Sequence, residues 1–348
     1  MSIKKIFTLF FITILLILLT EIGSRLYIKI NNSKNTGMNL KGKSYGIMKA
    51  DKELGFTHAA NAYNRSRASN NMGFLNINDV VSPEKRNSED ITFIAYGGST
   101  TYCYNLEQNE AWPYLFQEEM CNKKKNDGLC KFSVFNGGHI MYSIGHAYKR
   151  AKRDLPIVKP DYIIIYSGIN EFSNYQLLKP EDKINFDKSI NNKEYGLIKK
   201  FDYWYIKHNL IIKKLLHYKL FVPLKIQIEK GNNATKDSFP IVFENYLGVL
   251  KKFIDLAETH NTKVIFLVQS QGTDTKKNIF LTSFSQKAKK KVSELGAIVI
   301  DTNEIIDKYK GDKSELFHET GVHYSFKGSG LVAKLLFNKL IEKKLITN

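Results

Sequence analysis

Cysteine is scarce in this chain, three in 348 residues, and none stands in the paired Cys/His spacing of a tetrahedral zinc site. No metal and no other cofactor is expected. A compact basic motif is missing too. The formal net charge of +18 favours polyanionic partners in general, yet the lysines are spread along the chain among Asn and Ile residues. With no recognition motif to gather them, nucleic acid is not expected as a partner. A third absence concerns processing. After the apolar run from Ile6 to Leu19 there is no small-x-small cleavage site and no cysteine placed to take a lipid.

What is present bounds the rest. At 43% hydrophobic residues the chain buries a real core, as one large domain or one domain with a substantial insertion. Lys4 and Lys5 precede the apolar run, Glu21 closes it and Arg25 follows. Residues 1–28 therefore read as an uncleaved signal anchor, a transmembrane segment, with a removed signal peptide as the alternative. A helix of roughly 15 residues rises about 22 Å, short of the ~30 Å hydrocarbon core unless its ends snorkel or it continues through Ile22 to Tyr27. The leading lysines would stay in the cytoplasm and leave the body extracytoplasmic, periplasmic or at the cell surface. In that oxidising setting Cys121 and Cys130, which flank NKKKNDGL, are expected to form a disulfide worth about 2 to 3 kcal/mol in the chain-entropy model. Cys103 is then left over, as a small buried side chain or as a reactive thiol.

Residues 29–88 are polar and irregular and read as a stalk that becomes a surface-wrapping segment; the main domain spans 89–348. Five short apolar runs bounded by turn residues have the character of buried parallel strands: ITFIAY (91–96), KFSVFN (131–136), DYIIIYS (161–167), KVIFLVQ (263–269) and AIVID (297–301). Between them lie helical patterns near 110–122, 143–154, 243–257, 276–294 and 327–343, with Pro156 and Pro160 as stops for the second. The alternation predicts an α/β fold with a flavodoxin-like, doubly wound, five-stranded parallel sheet. Residues 172–240 break it and read as a helical insertion. Its middle, 201–221, interleaves aromatics, aliphatics and lysines, as a lid, an interfacial helix or an ordinary packed helix would.

Open α/β sheets bind ligands at the carboxyl ends of their strands. The first strand ends in Gly97-Gly98-Ser99-Thr100, the second in Asn136-Gly137-Gly138-His139 and the third in Ser167-Gly168-Ile169-Asn170-Glu171. A serine hydroxyl becomes nucleophilic only when a base takes its proton, so Ser99 needs a histidine. His323, in TGVHYSFKGSG between the last strand and the last helix, is the best placed of eight. Backbone N–H groups of Ser99 and Gly138 and the amide of Asn170 are candidates for an oxyanion hole, each donor worth about 3 to 4 kcal/mol in the transition state.

These blocks, GGSTT, FNGGH, SGINE and GVHYSFKG, resemble those of the SGNH hydrolases, also called the GDSL esterase/lipase family. The likeness is closest to membrane-anchored bacterial members whose first block reads GGSTT, and VKPDYIIIYSGINEF (158–172) is similar to their third block almost throughout. It covers roughly 50–175 and 242–343 and leaves the insertion unmatched. The resemblance implies Ser99 as nucleophile, His323 as general base, and Ser99, Gly138 and Asn170 as the oxyanion hole. The family's last block is Asp-x-x-His, whereas Thr320 stands three before His323. Glu319 reaching the ring, a Ser-His dyad and a decayed site are the three explanations, with Asp301 more in keeping with a helix cap. The implied activity is hydrolysis of acyl esters, acetyl first, on an envelope glycan or lipid. Transfer of the acyl group beside a membrane acyl-donor partner, and non-catalytic glycan binding, are the alternatives.

Overall fold

The computed structural model describes residues 44–64, 66–123, 130–171, 239–272, 278–318 and 321–346, with scattered positions between 4 and 23. Two compact units divide the chain, residues 1–41 with 192–231 and residues 42–191 with 232–348. In the first, the described positions, among them Phe7, Phe11, Ile12 and Leu16, are helical and exposed. No helix among the described residues is long and apolar enough to cross a membrane. The expected insertion lies outside the described residues except for its last two positions, which open a helix.

The second unit is built on strands β5 (Ile91–Gly97), β6 (Phe132–Asn136), β7 (Tyr162–Tyr166), β8 (Lys263–Val268) and β9 (Ile298–Asp301). All pair in parallel, in the spatial order β6-β5-β7-β8-β9. This is the flavodoxin-like order, in which the chain reverses direction across the sheet between β5 and β7. Side chains alternate between two cores, as the pleat requires. From β5, Phe93 and Ala95 enter one core while Ile94 and Tyr96 enter the other; from β7, Ile164 and Tyr166 oppose Ile163 and Ile165.

Helices cover both faces. After the single turn α1 (Ser99–Tyr102), helices α2 (Trp112–Lys123), α6 (Asn303–Lys308) and α7 (Phe326–Glu342) pack on the first face through Trp112, Phe116, Ile305, Val332 and Leu336. Helices α3 (Ile144–Val158), α4 (Phe239–Thr259) and α5 (Asn278–Glu294) cover the second through Ala147, Leu155, Leu250, Phe253 and Ala288. One boundary differs from the sequence expectation. Helix α3 runs through Pro156 to Val158 and ends on Lys159 in the left-handed region (φ 43°). A proline in the last turn forfeits one hydrogen bond near the frayed end, so the fixed φ of its ring is tolerated there.

Composition gave no sign of regular structure before residue 88, but four short strands stand there: β1 (Ser44–Tyr45) with β4 (Ala62–Tyr63), and β2 (Met48–Asp51) with β3 (Gly55–His58). The segment is tied to the sheet at β6, where Leu75 N–H donates to Asn136 O (2.9 Å) and Asn76 Nδ2 to Val134 O (3.0 Å). Cys121, in α2, is bonded to Cys130 ahead of β6, with Cα atoms 5.0 Å apart.

Candidate active site

Three glycines let the carboxyl ends of β5, β6 and β7 close on one another. A Cβ on Gly97 would overlap Tyr166 O and Thr101 Oγ1. One on Gly98 would overlap the Asn170 amide and stand 2.8 Å from Tyr142 O, and one on Gly138 would stand 2.7 Å from the Thr101 carbonyl carbon. Only a residue without Cβ permits such approach. The chain then turns into α1 with Ser99 as its first residue, and the turn closes through Tyr102 N–H to Gly98 O (2.9 Å). At that position the Ser99 N–H lacks an intrahelical acceptor, and it makes no hydrogen bond among the described residues.

The last loop brings His323 to the serine. His323 Nε2 stands 2.8 Å from Ser99 Oγ across 224 residues of sequence. A bridge between Phe317 and Tyr324 closes this loop, with His318 N–H donating to His323 O (2.8 Å) and Gly272 N–H to Gly321 O (2.8 Å). Tyr324 is buried against Phe317 and Tyr166 and hydrogen-bonds Ser270 through its hydroxyl. Ser325 then caps α7 by accepting from Gly328 N–H (3.2 Å). The imidazole is fixed by the loop rather than by its own contacts alone.

Burial, with the charge of His318 adding, lowers the His323 pKa to about 4. The ring is therefore neutral at neutral pH, and a neutral ring protonated at Nδ1 presents Nε2 as acceptor for the serine proton. Glu319 and Thr320, the two positions that bear on what orients the ring, lie outside the described residues.

Of the expected oxyanion donors, Asn170 is held beside Gly98 by its Nδ2, which donates one hydrogen to Tyr142 O (2.8 Å) and keeps a second. Gly138 packs on α1 as its sequence block suggests, but its N–H donates to Asn136 Oδ1 (2.9 Å), while Asn136 Nδ2 donates to Thr101 O (2.9 Å). The Ser99 N–H and the second Asn170 hydrogen are thus the donors available to an oxyanion, and Gly138 joins them only by sharing its hydrogen.

Three supporting residues escaped the sequence reading. Tyr142 fixes Asn170 through its carbonyl and is itself held by its hydroxyl to Phe56 O (2.6 Å). Gln269, just past β8, accepts from Ile169 N–H (3.0 Å) and donates to Thr100 Oγ1 (3.3 Å), joining the third block to α1. The strand-end rule that found the other blocks points to this position as well. Glu171 is buried beside Asn170 and accepts from Ile144 N–H (2.8 Å) and Ser167 Oγ (3.2 Å); burial raises its pKa to about 7.

The remaining candidates are structural. Cys103 is buried, and burial pushes its thiol up to about 12, so it is not a reactive thiolate. Asp301 pairs with Lys289 (2.8 Å) and, from the position before the cap residue Thr302, accepts from Asn303 N–H (3.0 Å) at the start of α6.

No protein-family model matches the chain, and no curated protein matches it. Solved structures do resemble it. An acetylxylan esterase from Geobacillus stearothermophilus is 13% identical, over 72% of this chain and 94% of that one, with a TM-score of 0.46. A psychrotrophic esterase from Pseudoalteromonas sp. is 13% identical (74% and 99% covered, TM-score 0.42), and a member of the lipolytic G-D-S-L family from Veillonella parvula 14% identical (71% and 97%, TM-score 0.43). At these values the chemistry of this chain rests on its own residues.

Proposed function

We propose that the chain is a serine esterase of the SGNH type that removes acyl groups, acetyl first, from an envelope glycan or lipid. The observation that carries this reading is the 2.8 Å contact between His323 Nε2 and Ser99 Oγ at the carboxyl edge of the sheet. Ser99 Oγ adds to the ester carbonyl carbon as its proton passes to His323 Nε2. The carbonyl oxygen becomes an oxyanion that accepts from Ser99 N–H and the second Asn170 hydrogen. Collapse breaks the bond to the alkoxy oxygen, which leaves as the alcohol with the proton from His323. Water, deprotonated by the same imidazole, then releases the acid from the acyl-serine and restores the hydroxyl. In this reading Glu319 orients the imidazole, and residues 1–28 anchor the protein with its domain outside the cytoplasm.

The full chain in detergent is expected to release acid from p-nitrophenyl acetate, and Ser99→Ala to lose that activity. Equal turnover by the variant removes Ser99 from the mechanism. If a glycan hydroxyl takes the acyl group in place of water, product analysis with glycan present shows the ester rather than free acid.

A further inference from the structure

Beside α1 lies a cavity of about 310 Å³, lined by Tyr104, Asn105, Glu107, Ser66 and Arg67 together with Tyr102 and Leu106. We propose that it holds one neutral sugar ring, the part of a glycan that carries the scissile ester; the link to catalysis rests on the esterase reading above.

Position comes first. Tyr104 N–H donates to Ser99 O (3.0 Å), and the Tyr104 ring lies 5.7 Å from the His323 ring, centre to centre. Tyr104 thus lines the cavity and neighbours His323, so a group in the cavity lies on a side of the site open to an ester's alcohol portion.

Shape and chemistry then choose the ligand. The volume is at the small end for ligand sites. Tyr104 is 45% exposed, an aromatic face open to solvent at the wall, and Asn105 and Glu107 beside it are exposed and polar. A pyranose matches such a wall, since its C–H face packs on an aromatic ring while its hydroxyls reach polar side chains at the edge. An acyl chain does not, because it would strip water from Ser66, Asn105 and Glu107 and return no hydrogen bond. An anionic ligand is disfavoured by the Glu107 carboxylate, and three of the five N–H hydrogens of the buried Arg67 guanidinium are already donated to the loop.

Their use is the second observation. Arg67, 2% exposed, donates from Nη1 to Tyr102 O (2.9 Å) and from Nη2 to Cys103 O (2.8 Å) and Leu106 O (2.6 Å), with its guanidinium 4.0 Å over the Tyr102 ring. The loop it clamps contains two non-glycine residues in the left-handed region, Cys103 (φ 58°) and Asn105 (φ 76°). Such backbone persists only where its surroundings over-determine it. Here a buried arginine fixes the loop that presents Tyr104 beside His323, so the aromatic wall is formed before any ligand arrives.

The test is titration of the full chain in detergent with neutral chito-, xylo-, manno- and malto-oligosaccharides, read by saturation-transfer NMR and calorimetry. At least one is expected to bind, with transfer concentrated on ring C–H protons. Tyr104→Ala should weaken it on the order of 10-fold, and Tyr104→Phe, which keeps the aromatic face, by less than about 3-fold. No binding across the series, or equal binding by Tyr104→Ala, overturns the proposal. Fluorophosphonate labelling of the same samples separates the two readings. Labelled Ser99 without sugar binding sinks the sugar site alone, whereas sugar binding with Ser99 unlabelled sinks the esterase reading and leaves a sugar-binding cavity.

Discussion

His323 and the stacked pair His139 and His58 have lowered pKa values for the same first cause, and of these only His323 faces a serine hydroxyl. His323 is half-buried, lowered to about 4, and stands against Ser99 Oγ. His139 and His58 lie 0% and 2% exposed, stacked at 4.4 Å between ring centres, with Phe56 and Tyr142 against His139. Burial lowers His139 to about 3 and holds His58 well below its ordinary value. Among the described residues, both ring nitrogens of His58 and Nε2 of His139 are buried without a hydrogen-bond partner. A depressed imidazole pKa thus reports burial first. A hydroxyl within reach is not enough, since burial also lowers His146 to about 4 with its Nδ1 2.9 Å from Ser143 Oγ; Ser143 is fully buried, whereas Ser99 and His323 are only half-buried at the strand ends.

Breaking the His323 side should have the largest effect. Ser99→Ala is expected to lower kcat for p-nitrophenyl acetate by at least about 10³-fold with little change in thermal midpoint, whereas His139→Ala should lower the midpoint first. Next in size is the oxyanion contact. Asn170→Ala is expected to cost about 10²- to 10³-fold in kcat with KM nearly unchanged, the pattern of a donor used only in the transition state. A loss confined to KM would place Asn170 in ground-state binding instead.

The core pair sharpens the comparison through acid stability. Because His139 is neutral when folded and has a pKa of 6.5 in the unfolded chain, its contribution is fully present above about 6.5 and is lost as pH falls towards about 3. Urea midpoints of the full chain should decline through that window, and in His139→Phe the decline should be shallower by up to about 1.4 kcal/mol per pH unit. Glu171 acts with the opposite sign. Its folded pKa of about 7 lies above the unfolded 4.5, so its contribution is fully present below about 4.5 and is lost as pH rises through about 7. Glu171→Gln should flatten that loss, an effect of about 1 kcal/mol per pH unit at most. Identical midpoint profiles for wild type and variant would contradict the burial ascribed to this carboxyl.

The sheet was legible because five apolar runs of four to seven residues cannot be amphipathic helices, and their ends concentrate Gly, Ser, Asn and His. Ser99, Asn170 and His323 followed from where those ends must meet. The segment around β1 to β4 was not legible, since strands of two to four residues carry no readable period. Tyr142 escaped because it acts on Asn170 through a backbone carbonyl, which no residue type announces. The engagement of the Gly138 N–H by Asn136 was hidden for the same reason, being a contact within a turn. Cys103 was open between two roles until its burial was known.

The central claim is that His323 activates Ser99, and covalent labelling tests it most directly. A fluorophosphonate should form one adduct, mapped by mass spectrometry to Ser99, and should form it far more slowly in His323→Ala. An adduct elsewhere, or an unchanged rate in that variant, would contradict the account.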